Sequence, residues 1–170
     1  MKKSGIILVA IFATILIADI SGGIVGHYRY SKYYDSFWSL SVKASSITKK
    51  KESLDRFIYA LERSSLRGQH DALFMETADN DFDQNLEALK SLQIRLHEIS
   101  TMDVSSFQYQ TALAQITQQE QNEAKDMLSV FRGCWWKENY LFLWSWIGAS
   151  QIALAIILLI VGLAMWILED

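Results

Sequence analysis

Residues 5–26 read GIILVAIFATILIADISGGIVG, an apolar run of 22 residues broken by one charge, Asp19. A helix of that length spans about 33 Å, enough for a bilayer core of about 30 Å. Residues 141–168 read LFLWSWIGASQIALAIILLIVGLAMWIL and carry no charge. The two runs bracket a polar segment, residues 27–140. The expected fold is an all-α membrane protein, with two transmembrane helices around an extramembranous helical bundle. The expected layout is a short tail (1–4), transmembrane helix 1 (5–26), the bundle (27–140), transmembrane helix 2 (141–168) and a second tail (169–170). On this reading both ends lie at one membrane face. Any activity then belongs to the bundle, the membrane segments or a partner.

Composition narrows the classes. Residues 28–140 hold 14 Lys/Arg against 16 Asp/Glu, a net of −2, so no basic footprint for nucleic acid is present. Proline is absent, and the middle segment has glycine only at Gly68 and Gly133. Long helices are the default without those breakers. A single cysteine, Cys134, excludes an internal disulfide framework and a multi-cysteine metal site.

Lys2-Lys3 before Ile6–Ala18 has the form of a secretory signal, but Asp19-Ile20-Ser21-Gly22 is a poor cleavage site. An uncleaved signal anchor is expected. Lys2-Lys3 draws the N-terminus to the cytoplasm, whereas Arg29, Lys32, Arg132 and Lys137 count for the loop side. Long translocated domains obey that rule loosely. The expected arrangement is a bacterial inner-membrane protein with its bundle outside the cytoplasm.

Within the middle segment, apolar or small residues recur at spacings of 3 and 4 through Tyr30, Tyr33, Phe37, Leu40, Ala44 and Ile47. They continue at Leu54, Ile58, Leu61 and Ser65. This coiled-coil-like stripe predicts a helix ending near Arg67-Gly68. A second stripe runs Phe82, Leu86, Leu89, Leu92, Leu96, Ile99, with Asp79-Asn80-Asp81 as cap candidates. A third passes Phe107, Leu113, Ile116, Ala124, Met127 and Phe131, with no obvious break before the second span. Three rods cannot return the chain to its starting face. A break near Thr48–Lys51 gives a four-helix bundle, preferred over a long helical hairpin. The thin core of such a bundle makes oligomerisation plausible. The layout resembles the periplasmic four-helix sensor modules of chemotaxis-type receptors in organisation, which implies a sensor or adaptor role.

Asp19 is the leading candidate residue, because a carboxylate inside a span is costly and faces protein or water. Ser150 and Gln151 lie at similar depth in an antiparallel hairpin, so an intramembrane polar contact among Asp19, Ser150 and Gln151 is expected. Ala18, Gly22 and Gly26, and Ser145, Ala149 and Ala153, form small-residue rows suited to helix packing. Tyr30, Tyr33, Trp38, Trp135, Trp136, Trp144 and Trp146 fit an interfacial aromatic belt.

Other motifs carry less. Asp79-x-Asp81-x-Asp83 resembles the start of a calcium loop, but Gln84 and Lys90 occupy the positions that need Gly and Glu. Capping accounts for it. Arg63 and His70 resemble the Arg-x(4–6)-His pattern of HEPN ribonucleases, which implies a cytoplasmic dimer. Arg67-Gly68 between them reads instead as a helix end. His27 and His97 lack partners at metal-ligand spacing.

The expected function is therefore non-enzymatic. The chain reads as an accessory, regulatory or scaffold subunit acting through helix–helix interaction with a membrane protein partner or itself as a homo-oligomer. The lipid bilayer is its other partner, with no nucleic acid, cofactor or metal. The alternatives are a ligand-sensing bundle without its own output domain and an oligomeric pore or lysis/defence effector.

Overall fold

The computed structural model describes residues 2–69 and 78–167. Among these the chain is all-helical. Six α-helices follow one another: α1 (Lys2–Tyr30), α2 (Ser36–Lys43), α3 (Ile47–Glu62), α4 (Phe82–Ser100), α5 (Phe107–Asn139) and α6 (Ser145–Ile167). A π turn, Ser31–Asp35, lies between α1 and α2, and a 3-10 turn, Leu141–Leu143, lies between α5 and α6. The chain separates into two compact units. One holds Met1–Tyr28 with Trp136–Asp170, and the other holds Arg29–Trp135.

Two helical stretches, Ser4–Lys43 and Ile147–Ile167, are long and apolar enough to cross a membrane. Only 6% and 17% of their most apolar windows are buried in protein. A core helix of a soluble domain would be covered on most sides.

In the first unit, α1 and α6 lie side by side and antiparallel. A Cβ on Gly5 would sit 3.0 Å from the Gly162 carbonyl oxygen, and one on Gly22 would meet Leu143 Cδ1 at 3.0 Å. α6 does not continue α5. The backbone leaves helical geometry at Tyr140 (φ −142°, ψ 58°) and turns back into helix after Trp144 (ψ 126°). The expected unbroken rod is therefore interrupted. Gly148 makes the bend possible: a Cβ there would lie 2.8 Å from the Leu143 carbonyl oxygen and 2.9 Å from its carbon. These are backbone atoms, so they cannot swing aside as a side chain would.

The second unit is held by large side chains. Trp38 of α2 meets Phe57 of α3 with ring centroids 5.9 Å apart. Phe131 of α5 meets Phe57 at 6.1 Å and Phe82 of α4 at 5.3 Å, both edge-on. Phe57, Phe82 and Phe131 are fully buried. Edge-to-face aromatic pairs add about 0.5–1.5 kcal/mol beyond their area burial, so Phe131 ties α3, α4 and α5 together.

Local chemistry sets the ends of these helices. The α2–α3 turn falls at Ala44–Ser46, slightly before the expected Thr48–Lys51. The Ser46 hydroxyl accepts from Lys49 N–H, capping α3. Across the turn, the buried Ser41 hydroxyl donates to the Lys50 carbonyl at 3.0 Å. α3 stops at Glu62, short of Arg67-Gly68, where the Ser64 hydroxyl takes the Leu61 carbonyl and offers the backbone an alternative to helix. Gly68 serves the turn further on. Its φ of +75° suits glycine, and its carbonyl accepts from Phe82 N–H at 2.9 Å. Asp81 caps α4 by accepting from Gln84 N–H at 3.0 Å, and Ser106 caps α5 by accepting from Tyr109 N–H at 3.1 Å.

Candidate functional site

The α1–α6 seam is built at a spacing of seven. On α1 the protected positions include Gly5, Phe12, Asp19 and Gly26; on α6 they include Gly148, Ala155 and Gly162. Alternating steps of 3 and 4 add Leu8, Ile15 and Gly22 on one side, and Gln151, Leu158 and Met165 on the other. This is the period that lets two helices stay in register along a seam. Gly5 and Gly162 approach backbone to backbone, and a Cβ on Gly162 would sit 3.2 Å from Leu8 Cβ. At the other end the Trp136 ring lies directly over Gly26, filling the space a side chain would take.

Asp19 sits on this seam, half-buried. The contacts of Gly5 with Gly162 and of Gly22 with Leu143 bracket it. Antiparallel counting between those anchors sets Asp19 level with residues 146–148 at the start of α6, about one turn from Gln151. Gln151 is also half-buried. Among the described residues no hydrogen bond joins Asp19 to Gln151 or Ser150. Ser150 is exposed and donates its hydroxyl to the Ile147 carbonyl at 2.9 Å. A serine hydroxyl one turn from a carbonyl of its own helix finds a partner without leaving it.

The small-residue rows divide. Gly22 and Gly26 lie on the seam, whereas Ala18, Ala149 and Ala153 are exposed. The Ser145 and Trp146 side chains lie outside the described residues. Small residues on the α6 seam are Gly148, Ala155 and Gly162, and they recur every seventh position rather than every fourth. Counting sevens along residues 148–162 would have found them. A four-residue row drifts around a helix by about 40° per step, whereas a seven-residue row drifts by about 20°.

The aromatic residues also divide. Tyr30, Trp38 and Trp135 are buried in the second unit rather than exposed in a belt. Tyr33 is exposed, and Trp136 covers Gly26 in the first unit. Trp144 is buried under Lys137, whose Nζ lies 5.4 Å from the ring centroid.

Tyr30 anchors a polar cluster beside the π turn. Its ring stacks on Tyr34 at 5.4 Å and meets Trp135 edge-on at 5.6 Å. The Arg132 guanidinium lies 5.4 Å from the same ring centroid and reaches Asp35 Oδ1 at 3.5 Å. Burial pushes the Tyr30 phenol well above its ordinary range, and Arg132 opposes that shift only in part. Burial raises Tyr34 as well, against a hydrogen bond with Ser64. Tyr30 is thus held as a neutral phenol, unsuited to act as a nucleophile near neutral pH. The Arg132–Asp35 pair is partly exposed and long, worth about 0–1 kcal/mol.

The π turn explains which residues face inward here. The 3.6-residue period predicts Tyr33, Phe37 and Leu40 on the inner face. The observed inner face holds Tyr34, Trp38 and Ser41, one residue later in each case, while Tyr33 and Leu40 are exposed. One extra residue in the turn produces that slip. Beyond Ala44 the stripe returns to phase, and Leu54, Ile58 and Leu61 are buried as the spacing predicts.

The remaining candidates have ordinary partners. Asp81 is the cap of α4, and no group of three metal-ligating side chains occurs among the described residues. Arg63 bonds to the Tyr59 hydroxyl at 2.6 Å, and His70 lies outside the described residues. Cys134 is buried, with its Sγ 3.6 Å from the Gly68 carbonyl. His27 and His97 are exposed. No protein-family model matches this chain, and neither a curated protein nor a solved structure shows significant similarity to it.

Proposed function

We propose that this chain is a non-enzymatic two-pass membrane protein, with residues 5–26 of α1, and α6, crossing the bilayer and a four-helix bundle held outside the cytoplasm. It acts as an accessory or regulatory subunit, through helix–helix association with a membrane partner or a second copy of itself. The observation that carries this reading is the exposure of the apolar helices. Ile6, Ile17, Ile24, Ile156, Ile160 and Ile167 are each about half to two-thirds exposed. Each such side chain left in water forgoes roughly half of the about 1.5–3 kcal/mol that full burial contributes, so the hairpin needs a lipid or protein cover. Exposed small residues on both helices, Ala18 on α1 and Ala149 and Ala153 on α6, support close approach of a further helix. The half-buried Asp19 adds a polar group that such a helix can satisfy.

Two measurements test this. Expressed in bacterial cells, the chain should stay in the membrane fraction under alkaline carbonate, and a C-terminal reporter that folds only in the cytoplasm should be active. Native mass measurement from mild detergent should find a homo-oligomer or a co-purifying membrane protein. Release by carbonate removes the membrane reading, and a lone monomer without companion removes the subunit reading.

A further inference from the structure

Asp19 is the one charge in residues 5–26 and 141–168, and it lies about 5 Å along the helix from the middle of the first run. On the membrane placement proposed above, that depth is well inside a hydrocarbon half-layer of about 15 Å. The hairpin helices hold no cation near it. α6 carries no basic residue, and Arg29, the nearest along α1, is ten residues or about 15 Å away. Lys137, at the end of α5, lies over the Trp144 ring. Among the described residues no ion pair includes Asp19.

The helix surface beside Asp19 is open. Gly23 follows at the four-residue spacing that places two positions on one helix face. Phe142 and Leu143 close over Gly22, and Trp136 closes over Gly26, but a Cβ on Gly23 would meet nothing within 4 Å. Packing of the hairpin therefore accounts for Gly22 and Gly26 and not for Gly23. A half-buried carboxylate without a counter-ion and a gap in side-chain cover thus share one face of α1.

We propose that this face docks a partner's membrane helix carrying one lysine or arginine at the depth of Asp19. Charges inside a bilayer are kept where they are paired, and a cation is what neutralises a carboxylate. A second copy of this chain would bring another Asp19 and no cation, so the partner is a different chain. Gly23 lets the two backbones come close. The long apolar stem of a basic side chain lets its charged head reach Asp19 from a neighbouring turn. The proposal rests on the membrane placement and names the partner's chemistry.

Leucine-based helices of about 22 residues serve as probes, each with a single Lys, Glu, Asn or Leu at the depth of Asp19. The full chain, with a fluorescent donor at its C-terminus, is placed in phosphatidylcholine vesicles with acceptor-labelled probe, and energy transfer is followed at neutral pH. The Lys probe should associate at least about tenfold more strongly than the Leu probe, the scale of a polar contact between model membrane helices. Asp19→Asn should remove that preference, and Asp19→Lys should transfer it to the Glu probe. Gly23→Leu should weaken association of the Lys probe by filling the gap, whereas Ala10→Leu, on the opposite face of α1, should leave it unchanged. If Asp19→Asn does not insert, the Lys and Glu probes on the parent chain carry the test. Equal association of the Asn or Glu probe, or a Lys preference that survives Asp19→Asn, overturns the proposal. Release of the parent chain from the vesicles by alkaline carbonate overturns the membrane reading with it. A retained chain that shows no Lys preference overturns the docking proposal alone.

Discussion

The two compact units close their contacts by opposite means. In the α1–α6 unit glycines let backbones come close: Gly5 lies against Gly162, and Gly148 against the backbone of Leu143. In the Arg29–Trp135 unit large rings make the contacts, with Phe131 filling the space among Phe57 and Phe82. The difference follows from the expected surroundings. A helix pair already covered by lipid gains nothing from burying apolar area, so it associates by close backbone fit. A water-exposed unit gains from area, so it uses its largest apolar side chains.

The comparison can be broken most forcefully at Phe131. Replacing it with Ala should destabilise the helical unit by about 3–5 kcal/mol, through lost burial and a cavity at the junction of three helices. Urea unfolding of the full chain in detergent would measure this. The same change should leave the glycine seam intact. With Cys134 replaced by Ala, a Leu8→Cys, Gly162→Cys pair should therefore still cross-link, since Cβ atoms at those positions come within 3.2 Å. Loss of that cross-link on changing Phe131 would show that the units are not separable.

Gly148→Val tests the other side. Its added atoms meet backbone, so the Leu141–Leu143 turn must shift, at about 1–3 kcal/mol. Cross-linking of Leu8→Cys with Gly162→Cys should fall, while urea unfolding of the helical unit stays as in the parent chain. An unchanged cross-link would mean that the bend tolerates a side chain.

A smaller effect is expected at high pH. Burial raises the Tyr30 phenol in the folded chain, so its contribution to stability is fully present below about pH 10, where unfolded tyrosine ionises. That contribution is lost as pH rises toward the folded value. Tyr30→Phe should flatten the alkaline fall in unfolding free energy. An equal slope in both proteins would place the titration elsewhere.

The smallest effect is expected from deleting Tyr33. This exposed residue lies in the π turn, and removing it restores an ordinary helical period that keeps Trp38 and Ser41 facing inward. Stability should change by less than about 1 kcal/mol, judged by the cost of other changes away from the core. An equivalent deletion at exposed Glu87 in α4 should be severe, because it rotates Leu89, Leu92, Leu96 and Ile99 out of the core. Thermal unfolding of both deletions would decide. Equal losses would mean that the π turn is itself required.

The same pair of segments shows how far periodicity reaches. In α4 every position of the stripe Phe82, Leu86, Leu89, Leu92, Leu96, Ile99 is buried, since nothing interrupts its 3.6-residue repeat. In α2 the same reasoning points to Tyr33, Phe37 and Leu40 and misses by one residue. A π turn carries no proline or glycine signature, and Ser31-Lys32-Tyr33-Tyr34-Asp35 looks like any other helical stretch. The bend at Tyr140–Trp144 is hidden for a similar reason. Its only local mark is Gly148, which lies beyond the bend inside an apolar run. Asp19 was legible as an exception to its surroundings. Its place on the seam depended on Gly5, Gly26 and Gly162, whose seven-residue spacing is easily overlooked beside the nearer row of Ala18, Gly22 and Gly26.

Composition and hydrophobic period alone determine that the chain is helical and that two of its stretches are long and apolar enough to cross a membrane. The absence of proline and the distribution of apolar residues leave few other solutions. Which residues face which neighbours is decided only in three dimensions. One inserted residue rotates a helix face by about 100°, and a glycine reveals its purpose only when another backbone arrives against it.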